Sequence, residues 1–540
     1  MLREARYYAR LSLSFAQLRF TRPEPDPAGL VRRYLENRQE NFLSLMRRAV
    51  FDHPSNPYKT LFAWSGCEYG DLERAVRRDG IEQALETLRK AGVYLLHEEL
   101  KGRQPIRRGG QTLRVETSDF ANPLVAGVVP TASSGGRGRA TAIRHSLQYL
   151  LYRESQDENF ETALDDSGRK QVRISSILPS TAGLRRGLLW VRRGHSIDKW
   201  FGQLGSVKTS GHYQLMTRWL VLQSRLLGVK LPFHTRLPYD DFSPVARWIA
   251  DRKSEGDLTI LSAVVSNAVR VAASAMENGW DIGGVIMGVF GEALTDAKRS
   301  VIERAGARPY PDYRISELGK VSGACLEMNS GNCGHISQDS LALISYNKKA
   351  PLSGVEVDSL LFTTLLPFAP LVLVNVEMDD SGVLGPTRCG CTLSKIGLTQ
   401  QVSHVFSYGK LTGQGMTLIG GDVLQILEER LPARFGGVPT DYQLIEREGG
   451  RQTDIELRVH PRVGAPSEAQ VRSFFLNQLE QVYGGSLSSR NWSETNGLKV
   501  VFAEPYKTGS LGKVHPLHLL GVMPFGTSGE TTPRTHADHA

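Results

Sequence analysis

Two chemical signals lie between Tyr313 and Cys391. The first is Tyr313-Arg314-Ile315-Ser316-Glu317, which crowds an aromatic ring, a hydroxyl and a carboxylate into one short run between apolar stretches. An aromatic face stacks on a base, and a hydroxyl with a carboxylate can hold phosphate and Mg²⁺. The second is Cys325, Cys333 and His335, followed after a long apolar insert by Cys389 and Cys391 with a glycine between them. Tetrahedral zinc takes thiolate and imidazole ligands from two short knuckles that the fold brings together. Cys325, His335, Cys389 and Cys391 make the best set of four, with Cys333 as a substitute in the first knuckle. Two other readings stay open on cysteine usage alone: buried unliganded thiols, which behave as small hydrophobes, and a disulfide in an oxidising compartment.

Two further stretches suit bound phosphate. An apolar segment from Pro123 to Val129 runs into Pro130-Thr131-Ala132-Ser133-Ser134-Gly135-Gly136-Arg137-Gly138-Arg139. Glycines let backbone N–H groups approach phosphate oxygens, and hydroxyls add donors; a plain surface loop is the alternative. Near the C-terminal end, Lys507-Thr508-Gly509-Ser510-Leu511-Gly512-Lys513 carries a lysine on a loop.

These residues need elements to position them. The chain has 540 residues, too many for one compact core. A hydrophobic content of 40% beside 22% charged residues excludes wholesale disorder. The formal charge of +9 suits anionic ligands. The arginines Arg185, Arg186, Arg192 and Arg193 bracket apolar residues instead of forming a long basic run, so a nucleic-acid partner is not expected. The N-terminus lacks the apolar core of a secretory signal. The apolar window from Leu360 to Val374 contains Pro367 and Pro370 and reads as two buried strands joined by a turn. No membrane span and a cytoplasmic location are therefore expected.

Helices are predicted over Asp71 to Ala91, interrupted at Gly80, and over Ala263 to Met276. A mainly helical stretch is predicted from His195 to Lys253. Val285 to Val289 reads as a buried strand entering Gly291-Glu292-Ala293-Leu294-Thr295, an alternation that argues for an α/β sheet with binding loops at strand ends. Phe406 to Asp422 is glycine-rich and reads as a hinge. A small α+β unit follows, with strands near Tyr442 to Glu446, Asp454 to Val459 and Leu498 to Ala503, and the tail from Thr527 is predicted to be disordered.

Taken in chain order, these pieces resemble the adenylate-forming (acyl-CoA synthetase) superfamily, and most closely its phenylacetate-CoA ligase-like branch. The resemblance spans about Asp119 to His518. It implies a large N-terminal α/β adenylation domain, residues 1–408, and a small mobile C-terminal α+β lid, residues 409–522, with residues 523–540 as a tail. It implies ATP-dependent activation of a small aryl or acyl carboxylic acid as an acyl-adenylate, with release of pyrophosphate. Transfer follows to a thiol of CoA or of the phosphopantetheine on an acyl carrier protein. A protein cysteine is the alternative acceptor, and a non-catalytic nucleotide-binding relative the alternative to an enzyme; a homodimer is compatible with it.

Residue by residue, Ser133, Ser134, Gly135, Arg137 and Gly138 are similar to the loop around the β- and γ-phosphates. Gly136 and Arg137 replace the family's two threonines, and Ala140 its proline. The resemblance implies that Gly291 and Glu292 belong to the ATP site. Tyr313 is similar to the ring that stacks on adenine, Ser316 to the hydroxyl near the α-phosphate, and Glu317 to the Mg²⁺ ligand, with Arg314 in place of a glycine. Asp379 or Asp380 corresponds to the ribose-binding aspartate. Lys410 corresponds to the arginine that opens the lid, and Lys513 to the lysine that acts during adenylation. The cysteine and histidine cluster resembles a structural Zn²⁺ site in the same branch.

Overall fold

A computed structural model describes residues 9, 12–14, 16–125, 129–132, 142–164, 169–176, 181–203, 211–237, 241–328, 332–349, 356–407, 420–449, 452–464, 466–481, 498–508 and 513–520. Two small hairpins come first, β1 (Ile106–Arg108) with β2 (Gln111–Leu113) and β3 (Val129–Ala132) with β4 (Ala142–His145). The main sheet has twelve strands. They are β5 (Lys170–Ser176), β6 (Lys199–Gln203), β7 (Thr235–Leu237), β8 (Thr259–Val264), β9 (Ile286–Phe290), β10 (Arg308–Ile315), β11 (Gly319–Gly323), β12 (Gly334–Ile336), β13 (Leu341–Lys349), β14 (Glu356–Thr364), β15 (Val376–Pro386) and β16 (Gln400–Ser407). Their order is β13-β14-β15-β16-β12-β11-β10-β9-β8-β5-β6-β7. From β10 to β7 every pairing is parallel; from β10 through β11 to β13 every pairing is antiparallel.

The parallel half is wound in two directions. From β5 the chain steps outward to β6 and β7, then returns to the other side of β5 and continues through β8, β9 and β10. The reversal lies between β5 and β8, and in open α/β sheets ligands sit outside the carboxyl ends of strands at such a point. The helix Val265–Glu277 is buried at Val265, Ala268, Val269, Val271, Ala272, Ala273 and Ala275. A helix apolar nearly all round belongs inside a large core, and this one packs between β8 and the helices on either side. The antiparallel half is covered by N-terminal helices. Tyr69–Asp79 and Ile81–Lys90 meet at Gly80, whose φ of +84° lets the chain turn between them.

A separate sheet of four strands, β19-β18-β17-β22, follows. It comprises β17 (Tyr442–Gly449), β18 (Gln452–Val459), β19 (Leu498–Phe502) and β22 (Leu517–Leu520), with the helix Glu468–Glu480 against it. Val471, Phe475 and Leu479 of that helix join Tyr442, Leu444 and Leu457 of the strands in a core of their own. Lys513 does not ride on an open loop: Lys513–Val514 (β21) pairs with Lys507–Thr508 (β20), so the lysine stands on the returning arm of a hairpin.

Two further expectations are corrected. The stretch from His195 to Lys253 contains β6 before the helix Gly211–Leu226 and β7 after it; β7 is the edge strand and β6 its inner neighbour, and both are too short to impose a period of two. The window from Leu360 to Val374 holds one strand, ending at Thr364, not two. Proline has no N–H to give a ladder, and beyond Pro367 and Pro370 the Thr364 hydroxyl oxygen accepts from the Leu373 N–H at 3.0 Å.

Candidate active site and metal centre

The ends of adjacent parallel strands gather the described candidates. β8 ends at Val264, β9 at Phe290 and β10 at Ile315. After β9, Gly291 takes a φ of +82°, a conformation that favours glycine. Glu292 then turns back onto the start of the helix Val265–Glu277, accepting from the Ser266 N–H at 3.1 Å and the Ser266 hydroxyl at 2.8 Å. Burial raises the Glu292 pKa, and Lys298, Ser266 and Lys513 pull against that rise. Lys513 arrives from the C-terminal hairpin: its Cε and Nζ lie 2.9 and 3.1 Å from where a Cβ on Gly291 would stand. The lysine therefore occupies the space that the glycine leaves.

One strand further along, Tyr313 is half-buried and its hydroxyl donates to Asp380 Oδ2 at 2.6 Å. Burial, with Asp380 beside it, pushes the phenol well above its ordinary pKa, so it remains a donor. Asp379 has a φ of +59°, and its Oδ2 lies 3.5 Å from His97 Nδ1. Ser316 is exposed, whereas Glu317 is only 5% exposed and is ion-paired with Lys101. His97 opens the single-turn helix His97–Leu100 and Lys101 caps its end. Neither stood out in the sequence, because Lys101 is separated from Glu317 by 216 positions and belongs to no motif. In this structure the Lys101 ammonium neutralises the Glu317 carboxylate, so a Mg²⁺ ion at Glu317 would have to displace it.

Arg314, which replaces the expected glycine, is absorbed by structure. It pairs with Asp157 of the helix Leu147–Thr162 and, through Nε, with Asp312 at 2.7 Å. Ser133, Ser134, Gly135, Arg137, Gly138 and Lys410 lie outside the described residues, as do the glycine-rich stretch 408–419 and the tail from 521.

The four expected metal ligands come together. One ligand atom each from Cys325, His335, Cys389 and Cys391 lies within 4.8 Å of all the others. The Cys389 and Cys391 sulfurs stand 3.2 and 3.3 Å from His335 Nε2, 3.5 Å from each other, and Cys389 is 3.9 Å from Cys325. Zinc–sulfur bonds of about 2.3 Å arranged tetrahedrally set sulfurs about 3.8 Å apart, and these distances match. A disulfide needs about 2.05 Å, and every cysteine is free. His335 Nδ1–H donates to the Leu398 carbonyl at 2.8 Å, which leaves Nε2 as the acceptor facing the sulfurs. Cys333 is not among the four, since its thiol donates to Gln401 Oε1 at 3.1 Å. The residues present fit Zn²⁺.

No protein-family profile matches the chain, and no curated protein does. Solved structures give distant likenesses. One is a 2-hydroxyisobutyryl-CoA ligase in complex with 2-HIB-AMP and CoA in its thioesterification state, at TM-score 0.42 and 13% identity over 92% of this chain and 88% of that one. ATP-bound MatB from Rhodopseudomonas palustris aligns at TM-score 0.37 and 13% identity over 75% and 68%. The O-succinylbenzoate coenzyme A synthetase of Bacillus subtilis, with ATP and magnesium, aligns at 0.38 and 11% over 72% and 69%. At such scores the fold assignment rests on the chain's own sheets and helices.

Proposed function

We propose that this chain activates a small carboxylic acid with ATP as an acyl-adenylate, releasing pyrophosphate, and then passes the acyl group to a thiol of CoA or phosphopantetheine. The observation that carries this reading is the entry of Lys513 into the space beside Gly291, next to Glu292 and one strand from Tyr313 and Glu317. In the first half-reaction a carboxylate oxygen attacks the α-phosphorus and the bond to pyrophosphate breaks. Negative charge builds on the α-phosphoryl oxygens, and a fixed ammonium stabilises it. Lys513 is the group we assign to that role. Tyr313 supplies the aromatic face for adenine, Asp379 an acceptor for ribose and Ser316 an exposed hydroxyl for phosphate. In the second half-reaction the thiol sulfur attacks the acyl carbon, and AMP leaves. The unit beginning near residue 409 is proposed to turn between the two steps, withdrawing Lys513. Zn²⁺, when bound, closes its four protein ligands and acts as a structural tie.

Pyrophosphate exchange over a panel of acids tests the reading. Lys513→Ala should cut exchange by on the order of 10²-fold, while thioester formation from a supplied acyl-adenylate falls far less. Exchange at the wild-type rate in that variant would remove Lys513 from the mechanism. The Lys101–Glu317 ion pair favours a second reading, nucleotide binding without turnover. ATP binding with no exchange for any acid, in wild type and in Lys101→Met alike, would select it.

A further inference from the structure

A cavity of about 40 Å³ opens across the parallel strands beside the point where the winding reverses. Arg173 of β5, Ser262 of β8 and Gly288 of β9 line it and stand in register, Arg173 opposite Ser262 and Ser262 opposite Gly288. Gly288 is what leaves the room: a Cβ there would meet nothing closer than the Leu261 carbonyl oxygen at 3.8 Å. Two residues nearer the strand ends, Phe290 and Asp312 form the next row. The row at Gly288 therefore lies below the end of β9, roughly 10 Å short of Gly291 at the strand rise of about 3.3 Å per residue.

The walls are charged and their charges do not balance. Asp312 is paired with Lys320 at 2.9 Å and Arg186 at 3.3 Å, besides Arg314. Asp157 is paired with Arg314 and Lys320, and Glu161 with Arg186 at 3.4 Å. Each of the three carboxylates thus has a cation, whereas the fourth cation, Arg173, has no carboxylate within ion-pair reach among the described residues. Arg173 is 7% exposed, and its Nε is buried without a hydrogen-bond partner. Its guanidinium lies over the Trp190 ring, 5.5 Å from the centroid, and burial, with Arg186 and Arg314 set against Glu161 and Asp157, brings its pKa down to about 10. A guanidinium held in this way is a receptor for an anion.

We infer that the cavity is the subsite for a second anionic group on the acid, so that the substrate is a short dicarboxylate whose far carboxylate pairs with Arg173. This rests on the adenylation reading for the near carboxylate. The small volume limits the spacer to a few carbons.

The test compares succinate, glutarate and adipate with butyrate, valerate and hexanoate in pyrophosphate exchange, using wild type, Arg173→Met and Arg173→Lys. A diacid should exceed its matched monoacid at least tenfold in kcat/KM. Arg173→Met should abolish that preference with the KM for ATP unchanged, and Arg173→Lys should restore part of it. Arg173→Met should also melt no lower than wild type, because it removes a buried cation that has no ion-pair partner among the described residues. Monoacids used as well as diacids, or a preference that survives in Arg173→Met, would overturn the subsite and leave adenylation standing. If no acid supports exchange, calorimetric titration of glutarate in the presence of AMP decides. Binding that Arg173→Met loses keeps the subsite while adenylation falls, and no binding overturns it.

Discussion

At the scale of single residues, the site is defined by what sits opposite each charge. Glu317 would be an open metal ligand if Lys101 were elsewhere; as the chain folds, the two neutralise each other in a largely buried pair. A cation and a metal ion competing for one carboxylate predict a specific response. Lys101→Met should lower the Mg²⁺ concentration that gives half-maximal pyrophosphate exchange by several-fold, since the ammonium no longer has to be displaced. Titrating exchange against Mg²⁺ in wild type and variant checks this. An unchanged midpoint would mean that Lys101 leaves Glu317 whenever nucleotide binds.

At the scale of elements, the Cys and His cluster ties two segments that are far apart in sequence, the stretch from the turn after β11 into β12 and the loop after β15. About one zinc per chain should accompany protein purified without added metal. Stripping it with a strong chelator should lower the Tm by several degrees, and Cys389→Ser should lose the metal and show the same fall. Zinc well below one per chain, with all five thiols titratable, would contradict this. This part of the molecule was legible in advance because thiols and imidazoles cluster for few reasons, and Cys333 was separated from the four by Gln401. The glycine-marked break at Gly80 and the buried helix of small residues were legible too, since each rests on local pattern. β6 and β7 were not, being short strands whose place is fixed by neighbours at the sheet edge. The partnership of Lys101 with Glu317 and the pairing of the ion network around Arg173 were not legible, because each joins residues from distant strands and helices.

At the scale of the whole molecule, the four-stranded unit is fastened to the main one by a buried ion pair. Lys298 Nζ meets Glu428 Oε1 at 2.9 Å with both side chains at most 3% exposed, and Thr295 donates to the other carboxylate oxygen. Burial lowers the Lys298 pKa, but Glu428 and Glu292 outweigh it and leave the ammonium charged. A turning unit must part these charges, and water takes them up as it does. Glu428→Gln keeps the shape and leaves Lys298 with Glu292 alone, which weakens this arrangement by up to about 3–5 kcal/mol. Adenylate formation should fall tenfold or more, while thioester formation from supplied acyl-adenylate holds or rises. Parallel decline of both half-reactions would instead point to general loss of folding.

Gly291 has a consequence for what evolution and engineering can do at position 513. The glycine is a keyway cut to the gauge of a methylene chain, and Lys513 slides along it with Cε and Nζ both closer than side chains normally approach a Cβ. A flat guanidinium is broader than a straight aliphatic stem. Lys513→Arg would carry the right charge to the wrong depth and stall at the mouth, so tolerance here is governed by calibre, with charge only the cargo.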